Sequence, residues 1–170
     1  FTGGDVIFEQ MTSYSTGPVI EEWSDLDGLT LSTDNRWFDY ALQFWRGVLS
    51  EYEEGIPLVT HNYRTPLDYV NDYRGNTVFT DLYDHPAELK QLLEMITDTI
   101  IECDRRFREE LPQLKDLPGG AWGVGLPEPG MLFLNGDPID LVSVEHGETF
   151  NSPYVERLIA YAGSLYYHHH

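Results

Sequence analysis

The groups in this chain best able to do chemistry stand where short apolar runs give way to polar residues. Three such places exist. The run at residues 56–62 leads to His61, Asn62 and Arg64; the run at 131–137 carries Asn135 and Asp137; and the stretch SLYYHHH, 164–170, ends on His168, His169 and His170. A carboxylate at Asp137 could hold a cationic intermediate, orient an imidazole, or act as a general acid–base with a pKa raised by burial. In the setting Gly136-Asp137-Pro138 it also fits a turn aspartate that merely ends the strand. His168 and His170 are two apart, so on an extended strand they share a face while His169 points to the other. Two same-face imidazoles can share a zinc ion, which needs three protein ligands and an open position to be catalytic. The same histidines also fit a purely hydrogen-bonding role or the stub of a purification tag. Arg64 has the planar fork that grips a carboxylate, whether of a substrate or of a nearby acid in the chain.

Other stretches are less telling. Trp122, set between glycines in GGAWGVG, is a candidate pocket wall, but that segment lacks the strand-then-helix setting of a nucleotide loop. Trp23, Trp37 and Trp45 are expected in the core or under loops. EYEEG and REEL are expected to be solvated helix faces, and Cys103 a core residue.

These groups need elements to position them. From Asp34 as N-cap, the spacing of Trp37, Ala41, Phe44, Val48 and Leu49 predicts a helix that stops at Gly55. Residues 56–62 are predicted as a buried strand. A short helix follows Pro66 and closes at Gly75, and a long one opens at Pro86 behind Asp84, with Leu89, Leu92, Leu93, Ile96, Ile100, Cys103 and Phe107 as its apolar stripe. A strand at 131–137, a helix with Ser152 as N-cap, Pro153 in its first turn and Gly163 as terminator, and a strand from Ser164 complete the pattern. Strand, helix, strand, helix, strand with buried strands implies parallel βαβ units. With no Gly-rich phosphate turn after a strand, the expectation is α/β of the (β/α)8 barrel type, with the polar strand ends converging on one face.

The 170 residues suit a single domain, 1–170. The start at Phe1 and the end directly after a strand suggest a portion of a longer barrel. Acidic residues outnumber basic ones 29 to 10, for a net charge of -19, a field that repels nucleic acid and anionic bilayers. One cysteine excludes an intrachain disulfide framework and suits the cytoplasm, and no apolar run is long enough to span a membrane.

Taken in order, the segments resemble the uroporphyrinogen decarboxylase superfamily. RTPLDYVNDYRGNTVFTDLYDHPAELKQLLEMITD resembles its central segment, with a Gly/Pro turn, a short helix ending in Arg-Gly and an LYD-x-P helix start. NGDPIDLVS, FNSPYVERL and SLYYHHH resemble its next strand, Ser-marked loop, PY helix and following strand, and LSTDNRWFDYAL is similar to a stretch in uncharacterised members. The resemblance runs from about Asp25 onward and implies a (β/α)8 barrel, of which the chain would be the middle portion.

It implies one of two activities. One branch decarboxylates uroporphyrinogen without a cofactor; the other moves a methyl group between a corrinoid and a thiol with zinc. Where the decarboxylases carry a Pro-Trp-Thr turn, this chain has Pro66, Leu67 and Asp68, and the high negative charge suits an octa-acid substrate poorly. Where the methyltransferases carry His-x-Cys, it has His168 and, in place of the Cys, His170. The expectation leans to zinc-dependent methyl transfer, with Asp137 and His168 catalytic, His168 and His170 on the metal, and His61, Asn62, Arg64, Trp122 and Asn135 near a small-molecule substrate. A corrinoid protein is the expected partner. Decarboxylation, with Asp137 stabilising a protonated pyrrole, and a catalytically silent ligand-binding barrel are the alternatives.

Overall fold

A computed structural model of the chain describes residues 6–8, 14–16, 18–53, 62–115, 120–121, 124–125 and 131–168. Strands β1 (Val6–Phe8) and β2 (Tyr14–Thr16) pair antiparallel. Helix α1 (Arg36–Ser50) begins where the Asn35 side chain accepts hydrogen bonds from the Trp37 and Phe38 amides, at 2.9 and 3.1 Å. The cap is therefore Asn35 and not the expected Asp34, because its carbonyl oxygen reaches two orphan N–H groups of the first turn.

β3 (Tyr63–Arg64) lies just beyond the run expected to be a strand; of that run only Asn62 falls within the described residues, and it precedes β3. Helix α2 (Pro66–Arg74) follows with Thr65 as N-cap and Pro66 in its first turn, and it ends at Gly75, whose φ of 63° favours a residue without a Cβ. After a 3-10 turn come α3 (Val78–Asp84) and the long α4 (Pro86–Glu110). α4 opens at Pro86 as expected, with His85 at its N-cap position and no side-chain cap.

β4 (Gly120–Ala121) and β5 (Val124–Gly125) form a second antiparallel pair. β6 (Leu132–Asn135) leads through a 3-10 turn at Pro138–Leu141 into α5 (Val144–Phe150), capped by Ser143. α6 (Ser152–Ala162) takes Asn151 as its N-cap where Ser152 was expected, and Gly163, with φ of 80°, releases the chain into β7 (Leu165–His168).

β3, β6 and β7 form one sheet in that order, both pairs parallel, so the expectation of parallel βαβ units holds. The fold is thus mixed α/β with a small three-stranded parallel sheet. The core lies between that sheet and the helices. Every residue of the predicted α4 stripe is buried, and it packs with Leu67 and Val70 of α2, Leu134 of β6 and Leu158 of α6. Burial of each such side chain contributes about 1.5–3 kcal/mol before the entropy of ordering is subtracted.

The apolar face expected of α1 is corrected. Phe38, Leu42 and Trp45 are inside, while Trp37 and Phe44 are exposed at 45% and 65%. The helix is turned so that Phe38 meets Phe107 of α4, ring centroids 4.7 Å apart, beneath the Arg106 guanidinium. Of the three tryptophans expected in the core or under loops, Trp45 is buried, Trp23 is half-buried against Arg74 and Trp37 is exposed.

Candidate functional site

In a parallel sheet the rows of side chains run straight across the strands, and register decides which groups meet. Here Arg64 pairs with Asn135 and Asn135 with His168, which places all three at the carboxyl ends of their strands. The backbone fastens this end of the sheet: Thr65 N–H donates to Asn135 O at 2.8 Å and Gly136 N–H to His168 O at 2.9 Å. Two residues down the same face, Phe133 and Tyr166 stack with centroids 5.2 Å apart, an apolar floor under the polar pair.

A chain of hydrogen bonds links the rim. The Asn135 amide nitrogen donates to Asp137 Oδ1 at 3.1 Å, and Asn135 Oδ1 lies 2.8 Å from His168 Nδ1. Only one orientation of the amide satisfies both neighbours, since a carboxylate can accept but not donate. Its oxygen therefore faces the imidazole, Nδ1 of His168 carries the proton, and the lone pair of the neutral ring resides on Nε2. That is the form in which a histidine ligates a metal or acts as a base.

The other half of the rim is held by Asp68, a residue the strand-end reasoning passed over. Its side chain is fully buried, yet it accepts from the Thr65 hydroxyl, from Arg64 Nη2 at 3.2 Å and from the Asp137 N–H at 3.2 Å. Burial pushes the Asp68 carboxyl above the ordinary aspartate range, opposed by the Thr65 and Asp137 hydrogen bonds and by Arg64. The sequence did hold a signal, because Thr65 and Asp68 have the Thr-x-x-acid spacing of a helix capping box.

Arg64 also reaches Asp72 Oδ2 at 2.5 Å, so its fork is engaged by two carboxylates of α2. Burial works against its charge, and the contacts with Asp72 and Asp68 outweigh that, leaving its pKa raised.

Gly136 explains itself by what stands over it. A Cβ there would lie 2.3 Å from the Tyr167 hydroxyl oxygen and 3.0 Å from Thr65 Cγ2. Burial raises the Tyr167 pKa, and the neighbouring Asp68, Asp140 and Asp137 add to it against a hydrogen bond from Asn151.

The predicted residues thus fall into three groups. Arg64, Asn135, Asp137 and His168 come together at one end of the sheet. Asn62 is exposed one residue before β3. His61, Trp122, His169 and His170 lie outside the described residues. Cys103 is a core residue as expected, its thiol pushed up to about 12 chiefly by burial. Among the described residues no group of three or more His, Cys, Asp and Glu is placed to hold a metal ion, and no helix is long and apolar enough to cross a membrane.

No protein-family model matches the chain, and no curated protein matches it either.

Proposed function

We propose that the chain belongs to an enzyme of the uroporphyrinogen decarboxylase superfamily, that its parallel sheet is a segment of a (β/α)8 barrel, and that the enzyme transfers a methyl group between a corrinoid and a thiol with zinc. Support for the barrel comes from three parallel strands lying side by side in chain order, with their polar groups gathered at the carboxyl ends, where barrel enzymes keep their sites. The reading rests on one observation, the Asp137–Asn135–His168 hydrogen-bond chain. Metal-ligating histidines commonly donate their second ring N–H to an oxygen that fixes tautomer and ring orientation, and Asn135 supplies that oxygen here.

The donor chemistry of the rim suits zinc: His168 would offer Nε2, and His170 is the second ligand the sequence suggests. Zinc bound there would supply the lowering of a substrate thiol's pKa that makes a thiolate nucleophile. Asp137 holds the Asn135 amide in place, Asn135 holds the imidazole, and the Phe133–Tyr166 stack lies two residues down the same face. Metal analysis of the tag-free protein tests the reading. About one zinc per chain, lost in His168→Ala with the circular dichroism spectrum unchanged, is expected; a wild-type protein without stoichiometric zinc overturns it.

Cofactor-free decarboxylation is the second reading. It is favoured by the Asp137 carboxylate at the end of β6, suited to stabilise a protonated pyrrole. Release of carbon dioxide from uroporphyrinogen by the metal-free protein would establish it in place of methyl transfer.

A further inference from the structure

Helix α1 has two apolar faces. Phe38, Leu42 and Trp45 pack inward, while Trp37, Tyr40 and Phe44 stand exposed at 45%, 55% and 65%. At about 100° per residue the second set lies roughly 150° around the helix from the first, so it is not the margin of the buried stripe. Trp37 and Tyr40 meet edge to face with centroids 6.0 Å apart. Scaled by their exposures, the three rings leave on the order of 350 Å2 of mainly apolar area open to water, the size of patch that often marks an interaction surface.

Two further features of this face indicate what covers it. Gly47 sits on it about one turn beyond Phe44, still inside α1; its φ is not positive, and a Cβ added there would meet nothing within 4 Å. Neither the backbone nor any neighbour requires a glycine, and within a helix it is less favourable than alanine, so what it provides is bare backbone that an outside group can approach closely. The second feature is charge. Arg36 and the C-cap Glu51 stand at opposite ends of the stripe, about 22 Å apart along the axis. Among the described residues neither has an ion-pair partner, and the Arg36 guanidinium lies over the Trp37 ring.

A second copy of the same helix, laid antiparallel across a two-fold axis, answers both features in one register. Setting Arg36 against the partner's Glu51 brings Tyr40 opposite the partner's Gly47 and puts the axis beside Phe44, so that the two Phe44 rings meet. We propose that α1 is a homodimer interface, two copies pairing antiparallel through Trp37, Tyr40, Phe44 and Gly47 with reciprocal Arg36–Glu51 ion pairs. The rings of two copies supply about 700 Å2 and their flanks bring the contact to about 1,000 Å2, the low end for specific association, so the dimer is weak, with a Kd of about 10–100 µM. The net charge of -19 on each copy opposes approach, but physiological salt confines that field to about 8 Å. α1 gives no residue to the rim, so the interface does not depend on the zinc reading.

Sedimentation equilibrium of the tag-free chain, at about 0.15 M salt and up to about 0.5 mM protein, tests this. A monomer–dimer equilibrium is expected, and it should be lost in Phe44→Glu with the circular dichroism spectrum unchanged. Gly47→Ala should weaken the dimer at least about fivefold yet leave the urea midpoint of the dilute, monomeric chain the same or higher, a combination that a purely structural glycine would not give. Arg36→Glu and Glu51→Arg should each weaken it about three- to tenfold, and the double variant should recover it. A chain that stays monomeric throughout overturns the proposal, as does a dimer indifferent to Phe44→Glu or to Gly47→Ala, or a pair of charge variants that fail to rescue each other. A monomeric chain that binds a basic amphipathic peptide through Phe44 would give the stripe to a foreign helix, and that overturns it as well. Zinc content is the same in all these variants, so failure here is distinct from failure of the zinc reading.

Discussion

Replacing Gly136 by alanine probes the rim at its tightest point. The added methyl would stand 2.3 Å from the Tyr167 oxygen, 2.8 Å from its Cζ and 3.0 Å from Thr65 Cγ2. The hydroxyl would have to recede by about 1 Å to reach an ordinary C···O separation of roughly 3.3 Å. The backbone beside Tyr167 is held, since the His168 carbonyl accepts the Gly136 N–H and His168 pairs with Asn135, so the retreat falls to the Tyr167 ring. Overpacking of this kind costs about 1–3 kcal/mol. With a urea m-value of about 2 kcal/mol/M, a loss of about 2 kcal/mol lowers the unfolding midpoint by about 1 M. Tyr167→Phe removes the closest contact and leaves those at 2.8 and 3.0 Å, so it should relieve part of the loss. The double-mutant cycle should show a coupling of at least about 0.5 kcal/mol. Urea unfolding of the four proteins measures this, and the His168 imidazole ¹H–¹⁵N signal reports whether the Asn135 hydrogen bond moves. A Gly136→Ala protein within about 0.5 kcal/mol of wild type, or strictly additive changes, would refute the close approach of the Tyr167 ring to Gly136.

Three further outcomes follow from other parts of the molecule. Asp68 has a folded-state pKa raised above its ordinary 3.8, so the folded state holds the proton more tightly; the stability this gives is present below pH 3.8 and is lost as pH rises through the folded pKa. Asp68→Asn removes this dependence, so wild-type stability minus variant stability should fall with rising pH, and a rise in denaturant titrations across the acid range would contradict the burial argument. Arg74 is buried with Asp81, bridged at 2.8 and 3.2 Å, and also donates to the carbonyls of Ile20 and Glu21; Arg74→Met should cost about 3–5 kcal/mol in urea unfolding, with Arg74→Met/Asp81→Leu less harmful than the single change. Cys103, with its thiol pushed up to about 12, should resist a disulfide reagent at pH 8 and react promptly once urea unfolds the chain; fast native reaction would place it outside the core.

The parts of this fold that were legible in the sequence share a strong local rule. The α4 stripe repeats at three and four residues over about five turns, leaving one face to bury, and Gly75 and Gly163 mark turns that a positive φ requires. α1 was misread because apolar residues surround it: Trp37, Tyr40 and Phe44 make one stripe, Phe38, Leu42 and Trp45 another, and contact with Phe107 and Arg106 selects the second. Neighbouring residues of similar capping chemistry, Asp34 and Asn35, could not be ranked from composition alone. At the site, the polar strand ends flagged Asn135, Asp137 and His168, because a parallel sheet brings its carboxyl ends together. Asp68 went unseen because a first-turn aspartate is ordinarily solvated; what buries it includes the backbone of Asp137, 69 residues further along.

The register of the sheet also dictates an order of assembly. Helices such as α4 are built from near neighbours and can form as soon as their own residues are available, whereas the row Arg64, Asn135, His168 joins positions separated by 71 and then 33 residues. Contacts so distant along the chain are the slowest to close. A ribosome-bound chain would therefore carry its helical scaffold well before the imidazole finds its amide, and the rim would be the last part of the sheet to take shape.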